Sequence, residues 1–289
     1  MNTIRCHFWR DVCITALAPA IWGSTYLVTS EILPPDRPFT AAVIRTLPAG
    51  LLLFLMTRHI PAKRHWLRLL ILSAFNIGVF QALLFVAAYR LPGGLAAVLG
   101  STQPLIIMGL LWAGDGKSPT QVNLWAALIG VVGMAILLLS PQAVFDPIGI
   151  TAALLGAVCM AAGTHFGRQW QIDIPILALT GWQLLIGGAI LVPIACLFDA
   201  PLPTLTLLQI SAYSYLSLIG ALLTYILWFR GVALLPSVAV SSLNLLSPLT
   251  AVFLGWIVLG QSMTFTATIG LTLVLASVLS VQWLSIRSM

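Results

Sequence analysis

The sequence predicts an all-α membrane protein whose ten transmembrane helices form two inverted five-helix repeats. Three observations carry that class. Hydrophobic residues make up 60% of the 289 and charged residues 7%, against roughly 45–50% and about 25% in soluble domains. So few charges cannot cover a water-facing surface. The apolar residues also fall in long unbroken runs, and a hydrocarbon core about 30 Å thick needs about 20 residues of helix to cross. Barrel strands would instead alternate in short segments. Finally, whole segments recur 144 residues apart. "LPGGLAAVLGSTQPLIIMGLLW" from Leu91 returns as "LPSVAVSSLNLLSPLTAVFLGW" from Leu235, and "SAFNIGVFQALLFVAAYRLP" from Ser73 as "SLIGALLTYILWFRGVALLP" from Ser217.

In chain order the runs lie at about 12–33, 39–57, 69–88, 94–113, 122–140, 148–167, 174–197, 210–228, 237–259 and 265–285. The first follows a basic start and passes small residues at Ala18 and Ala20, as a signal peptide would. It continues through "WGSTYLVTSEIL" to Leu33, long enough to span, so a retained helix is expected. Pro, Gly and charged residues punctuate the rest: Pro38 to Arg58 bracket the second run, Arg68 to Arg90 the third, Pro92 to Lys117 the fourth and Pro119 to Pro141 the fifth. In the second half Pro147 to Arg168, Asp173 to Asp199, Pro203 to Arg230, Pro236 to Gly260 and Ser262 to Arg287 do the same.

Charge orients the chain. With both termini cytoplasmic, Arg5, Arg10, Arg58, Lys63, Arg64, Arg68, Lys117, Arg168, Arg230 and Arg287 fall on the inner side, Arg37 and Arg90 outside, and Arg45 within a span. The net charge of +6 is therefore an orienting signal and implies no nucleic-acid partner. Cys6, Cys13, Cys159 and Cys196 make no C-x-x-C pair, so neither a metal site nor a disulfide framework is expected. No P-loop occurs and no cofactor is implied.

Five spans per half is an odd number, so the second half enters the membrane from the opposite face. The repeat units are 1–143 and 144–289. "WGSTY" from Trp22 matches "AGTHF" from Ala162 more weakly, placing His165 at the position of Thr25. "LWAGD" before Lys117 echoes "IVLGQ" before Ser262 with two residues inserted in the second copy.

"AIWGSTYLVT", "VIRTLPAGLLLF", "GWQLLIGGAIL" and the two proline segments resemble the EamA-type drug/metabolite transporters. The resemblance implies ten-helix inverted-repeat carriers that include bacterial exporters of amino acids and related metabolites, with spans one, three, four, six, eight and nine around the site. Many members carry Glu after the Gly that closes spans four and nine; this chain has Asp115 and Gln261 there.

Polar groups in lipid must find partners or line water, so their positions are informative. Trp22, Thr25, Tyr26 and Thr29 form one stripe on span one. The stripe fits a cavity wall or an interfacial belt, and its mid-span position favours the cavity. Asn76, Phe80 and Gln81 mark span three, and the repeat sets Tyr225 opposite Gln81, to face a central site or to bond helices together. Pro104 and Pro248 should kink spans four and nine, freeing the carbonyls of Gly100 and Asn244 as ligands, and serve as hinges or as static bends. Gln103, Ser241 and Asn244 adjoin them, and His165 lines the cavity or packs between helices. Glu31 and Arg45 are expected to pair near the outer surface.

These readings give a substrate-binding set of Trp22, Thr25, Tyr26, Asn76, Phe80, Gln81, Gln103, His165, Tyr225, Ser241 and Asn244, with no catalytic residue. An inner-membrane secondary transporter, a monomer in the lipid bilayer, exporting amino acids or similar metabolites by alternating access is expected. A multidrug or lipophilic-cation exporter of the same fold is the alternative. A membrane enzyme would need a catalytic constellation inside the spans, and the lone His165 has no partner at helical spacing.

Overall fold

A computed structural model describes residues 2–91, 93–116, 118–138, 146–170, 172–260 and 264–287. Among these residues the regular structure is entirely helical. Ten helical stretches are long and apolar enough to cross a membrane. They are span one His7–Thr29, span two Pro38–Thr57, span three Lys63–Ala87, span four Ala97–Asp115, span five Gln121–Leu138, span six Pro147–Trp170, span seven Ile176–Phe198, span eight Leu207–Leu234, span nine Ser237–Val258 and span ten Phe265–Ile286. The helix of span one begins earlier than the apolar run, at Asn2, because nothing in "NTIRCHFWRD" breaks it.

Irregularities recur at the repeat spacing. Span three winds into a π-turn at Ala74–Gly78, and span eight does so at Leu218–Leu223. Such turns insert an extra residue and loosen the i→i−4 ladder, often at functional positions. Span four is two helices, Gly93–Gly100 and Gln103–Asp115; span nine is Ser237–Leu243 and Leu246–Leu259. The second segments end on left-handed glycines, Gly116 (φ 66°) and Gly260 (φ 64°), a conformation that costs glycine nothing sterically. These two caps are 144 residues apart, so the register runs unbroken to them. The two-residue insertion expected from "LWAGD" and "IVLGQ" is absent from it.

The prolines act differently from the expected kinks. Pro104 lies in the first turn of Gln103–Asp115, and Pro248 in the first turn of Leu246–Leu259. A proline there lacks only an N–H that would have had no intrahelical acceptor. The break falls just before, at Ser101–Thr102 and at Asn244–Leu245. The Asn244 carbonyl is consequently not freed: it accepts the Ser247 N–H at 3.1 Å.

Span one packs between spans eight and nine, and span six between spans three and four. Span two lies along span seven, where a Cβ on Gly50 would stand 2.7 Å from the Leu185 nitrogen and one on Gly188 2.7 Å from Leu47 Cγ. Spans five and ten form an outer pair joined by small residues, with Gly133 and Gly270 in backbone contact across it. Large apolar side chains such as Trp125, Leu207, Phe265 and Trp283 remain exposed on the outer faces, as lipid-facing helices require.

Candidate functional site

The centre of the molecule is a polar seam through an otherwise apolar core, organised by the two π-turns. In span eight the Gly220 carbonyl accepts three donors: Trp22 Nε1 at 3.2 Å, Arg45 Nη2 at 2.8 Å and Thr224 Oγ1 at 2.8 Å. Trp22 also donates to Thr224 Oγ1 at 2.9 Å. In span three, 144 residues earlier, Asn76 Nδ2 donates to Gln183 Oε1 at 2.8 Å. Gln183 follows Arg45 by 138 residues, the same offset that relates Gly188 to Gly50. Each half therefore sends one long polar side chain, from span two or span seven, onto the π-turn of the other half.

Gln81 and Tyr225 meet across this seam, the amide Nε2 donating to the phenol oxygen at 3.0 Å. Both are sealed in, at 2% and 1% exposure. An aromatic cluster backs the phenol. Trp22 lies 5.2 Å from Tyr225 and 5.3 Å from Trp228 between ring centres, and Tyr225 stacks on Phe229 at 5.6 Å. A second crossing joins the broken spans, Asn244 Nδ2 donating to Gln103 Oε1 at 2.7 Å.

Several buried polar atoms here have no hydrogen-bond partner among the described residues: Thr25 Oγ1, Asn76 Oδ1, Gln81 Oε1, Gln103 Nε2 and Trp228 Nε1. A buried polar atom left unpaired costs about 1–3 kcal/mol. Five such atoms lie along the seam, the polar groups that a guest entering it would meet.

The remaining expected site residues divide. Thr25 stands within 4.0 Å of where a Cβ on Gly220 would be, so it belongs to the seam. Phe80 packs against the central core and faces Gly156 of span six. Ser241 is buried but donates to its own helix, at the Val238 carbonyl. His165 is buried, edge-on to Phe166, with Nε2 against Gly114 near the end of span four. The side chain of Tyr26 lies outside the described part, as does Gln261. Arg45 is buried and bonded to Gly220, whereas Glu31 is exposed at the last residue of its helix. Among the described residues no group of three His, Cys, Asp or Glu side chains is placed to hold a metal.

Sequence reasoning missed Arg45, Gln183, Thr224 and Trp228 as members of the seam. The signal for Gln183 was present, because the spans that carry it and Arg45 repeat at a constant offset.

Charge pairs close the seam at both ends. Asp11 of span one accepts Arg230 of span eight at 2.7 Å. At the other end Asp146, just before span six, pairs with Arg90 of span three at 3.4 Å. The Gly149 backbone N–H bonded to Asp146, with Arg90 beside it, holds the Asp146 carboxyl below its ordinary range.

Comparison with known proteins fits this architecture. The EamA-like transporter family matches residues 9–139 and again 147–283. The protein PecM of Dickeya dadantii is 40% identical over 274 residues, covering 94% of this chain and 92% of PecM. The uncharacterized inner membrane transporter YedA of Escherichia coli K12 is 29% identical over 246 residues, covering 81% and 78%. A solved crystal structure superposes with TM-score 0.77 at 18% identity, over 95% of this chain and 99% of that one, and shows the shared fold. The chain belongs to the EamA-like transporter family, and is a multi-pass inner-membrane transporter rather than an enzyme.

Proposed function

We propose that the protein exports amino acids and related small metabolites, by alternating access between inverted halves 1–143 and 144–289, as a monomer with both termini cytoplasmic. The observation that carries this reading is the Gln81–Tyr225 bond between positions 144 residues apart. Matching positions of two copies touch at the centre, as a pseudo-two-fold axis through a midplane site requires. The crossed contacts of Arg45 with Gly220 and Asn76 with Gln183 support the same axis. The seam offers carboxamides, hydroxyls and aromatic faces, which suit a small amphiphile carrying hydrogen-bonding groups.

Pro104 and Pro248 begin the second segments of the two broken spans and serve as hinges. Rocking one half against the other would part Gln103 from Asn244 and Gln81 from Tyr225, exposing the unpaired atoms to substrate. The present arrangement, with both pairs closed, is the occluded form of that cycle. A lipophilic cation would use the same aromatic rings. Arg45 lies in that cluster through Gly220, and its charge opposes a cationic guest.

Counterflow in proteoliposomes, with labelled amino acids and cationic drugs, is the direct test. Amino-acid flux is expected, and drug flux without it would reverse the assignment. Replacing Tyr26, Gln81, Tyr225 or Asn244 by Ala should lower flux at least tenfold while membrane insertion persists. Wild-type turnover in all four would remove this site.

A further inference from the structure

We infer that Arg45 is the carboxylate-binding residue of this carrier, and that a substrate carboxylate takes its guanidinium from the Gly220 carbonyl, releasing the π-turn of span eight. The inference rests on the transport reading above and adds the recognition chemistry and its mechanical consequence.

The Gly220 carbonyl is over-subscribed. A carbonyl oxygen has two lone pairs, yet Trp22 Nε1, Thr224 Oγ1 and Arg45 Nη2 all converge on it. Losing the arginine leaves it with two donors, one per lone pair, so departure of the guanidinium strands nothing on span eight. The arginine stands to gain more. Charge-assisted bonds to carboxylate are roughly twice as strong as neutral ones, and a guanidinium matches a carboxylate two bonds at a time. Arg45 is buried at 7% exposure, so little water competes with an arriving anion.

The surroundings supply the rest of a receptor. Thr25 Oγ1 adjoins Gly220 and has no partner, ready to donate to a carboxylate oxygen. Gln81 Oε1 is buried and unpartnered, while the Nε2 of the same amide is committed to Tyr225. That leaves a neutral acceptor for an ammonium on the side chain bonded to the Tyr225 hydroxyl. The other half makes the contrast clear. There the corresponding side chain is Gln183, uncharged, and its partner is another side-chain amide rather than a backbone carbonyl. Of these two contacts, the one from span two joins a full charge to a backbone carbonyl of the turn itself.

Competition in counterflow reads this directly. Proteoliposomes carrying wild-type protein take up labelled phenylalanine, or leucine where phenylalanine does not move, against the unlabelled amino acid, its amide or its deaminated acid. The amide is expected to compete at least tenfold more weakly than the amino acid, and the deaminated acid to keep most of its potency. In Arg45→Gln, monodisperse by gel filtration, that preference should shrink to less than twofold, and Arg45→Lys should retain an intermediate preference. Equal competition by amide and amino acid in the wild type overturns the inference without any variant, while leaving amino-acid transport standing. Absence of flux for every amino acid removes the transport reading and this inference together.

Discussion

The two ends of the seam are built alike and closed unequally. At one end span one meets span eight through Asp11 and Arg230, 2.7 Å apart with side chains 13% and 27% exposed. At the other, span six meets span three through Asp146 and Arg90, 3.4 Å apart and 30% and 45% exposed. The repeat at 144 carries Arg230 onto Val86, one turn short of Arg90, so the second tie sits about one turn further from the centre. The first end is further braced by Arg168, whose guanidinium donates to the Leu235 carbonyl. In the proposed orientation the tighter end is cytoplasmic. If the two ties act as gates in the proposed cycle, the cytoplasmic one is the stronger and the outward one the first to part.

The sharpest way to break this comparison is steric. A Cβ on Gly231 would stand 2.3 Å from Thr15 Cγ2, on a buried threonine whose hydroxyl already bonds the Asp11 carbonyl. Gly231→Ala should cost about 2 kcal/mol, the usual scale for overpacking, measured as a fall in thermal midpoint in detergent. Asp11→Asn comes next. It weakens a partly buried pair and should cost about 1 kcal/mol, and comparison with Arg230→Gln and the double variant should reveal coupling. At the other end Gly149→Ala would meet Leu91 Cγ at 2.7 Å and Arg90 Cβ at 2.9 Å, a less severe approach, and should cost less than Gly231→Ala. Equal losses at the two glycines would contradict the asymmetry.

The smallest expected effect is that of pH on Asp146. Its carboxyl titrates below the ordinary 3.8, chiefly because the Gly149 N–H bonds the charged form. A group whose folded pKa is depressed contributes stability above its unfolded value and loses it as pH falls through the folded one. Asp146→Ala should therefore differ from wild type at neutral pH, begin to converge with it as pH falls below about 4, and meet it only below the depressed folded value. Persistence of the full difference in acid would mean that the side chain acts by packing alone.

How much of this could be read from residues alone depends on the scale of the force involved. The ten spans were legible because bilayer thickness imposes their length on the sequence. Gln81 and Tyr225 were legible because they occupy one repeat position 144 residues apart, and the two side chains meet. Gln103 and Asn244 were both singled out, but their contact was not foreseen; they are 141 residues apart and meet beside the axis instead of on it. The π-turns left no mark, since "AFNIG" and "LIGALL" contain no breaker that distinguishes them from ordinary helix. What accompanies them is a side chain from another span, Gln183 or Arg45, and such tertiary choices are invisible to local propensity. The Gly220 carbonyl was not foreseen as a partner of Arg45 for the same reason, since it lies 175 residues away.

The π-turn of span eight has one more consequence. An α-helix advances 100° with each residue, from 3.6 residues per turn. Absorbing the single surplus residue of Leu218–Leu223 would screw everything beyond it by roughly that angle about the helix axis. Tyr225 and Trp228 would then sweep from the protein interior toward a new bearing without any change in the length of the rod. In the proposed cycle, the exchange of one donor at Gly220 would act on the turn about which that aromatic wall rotates.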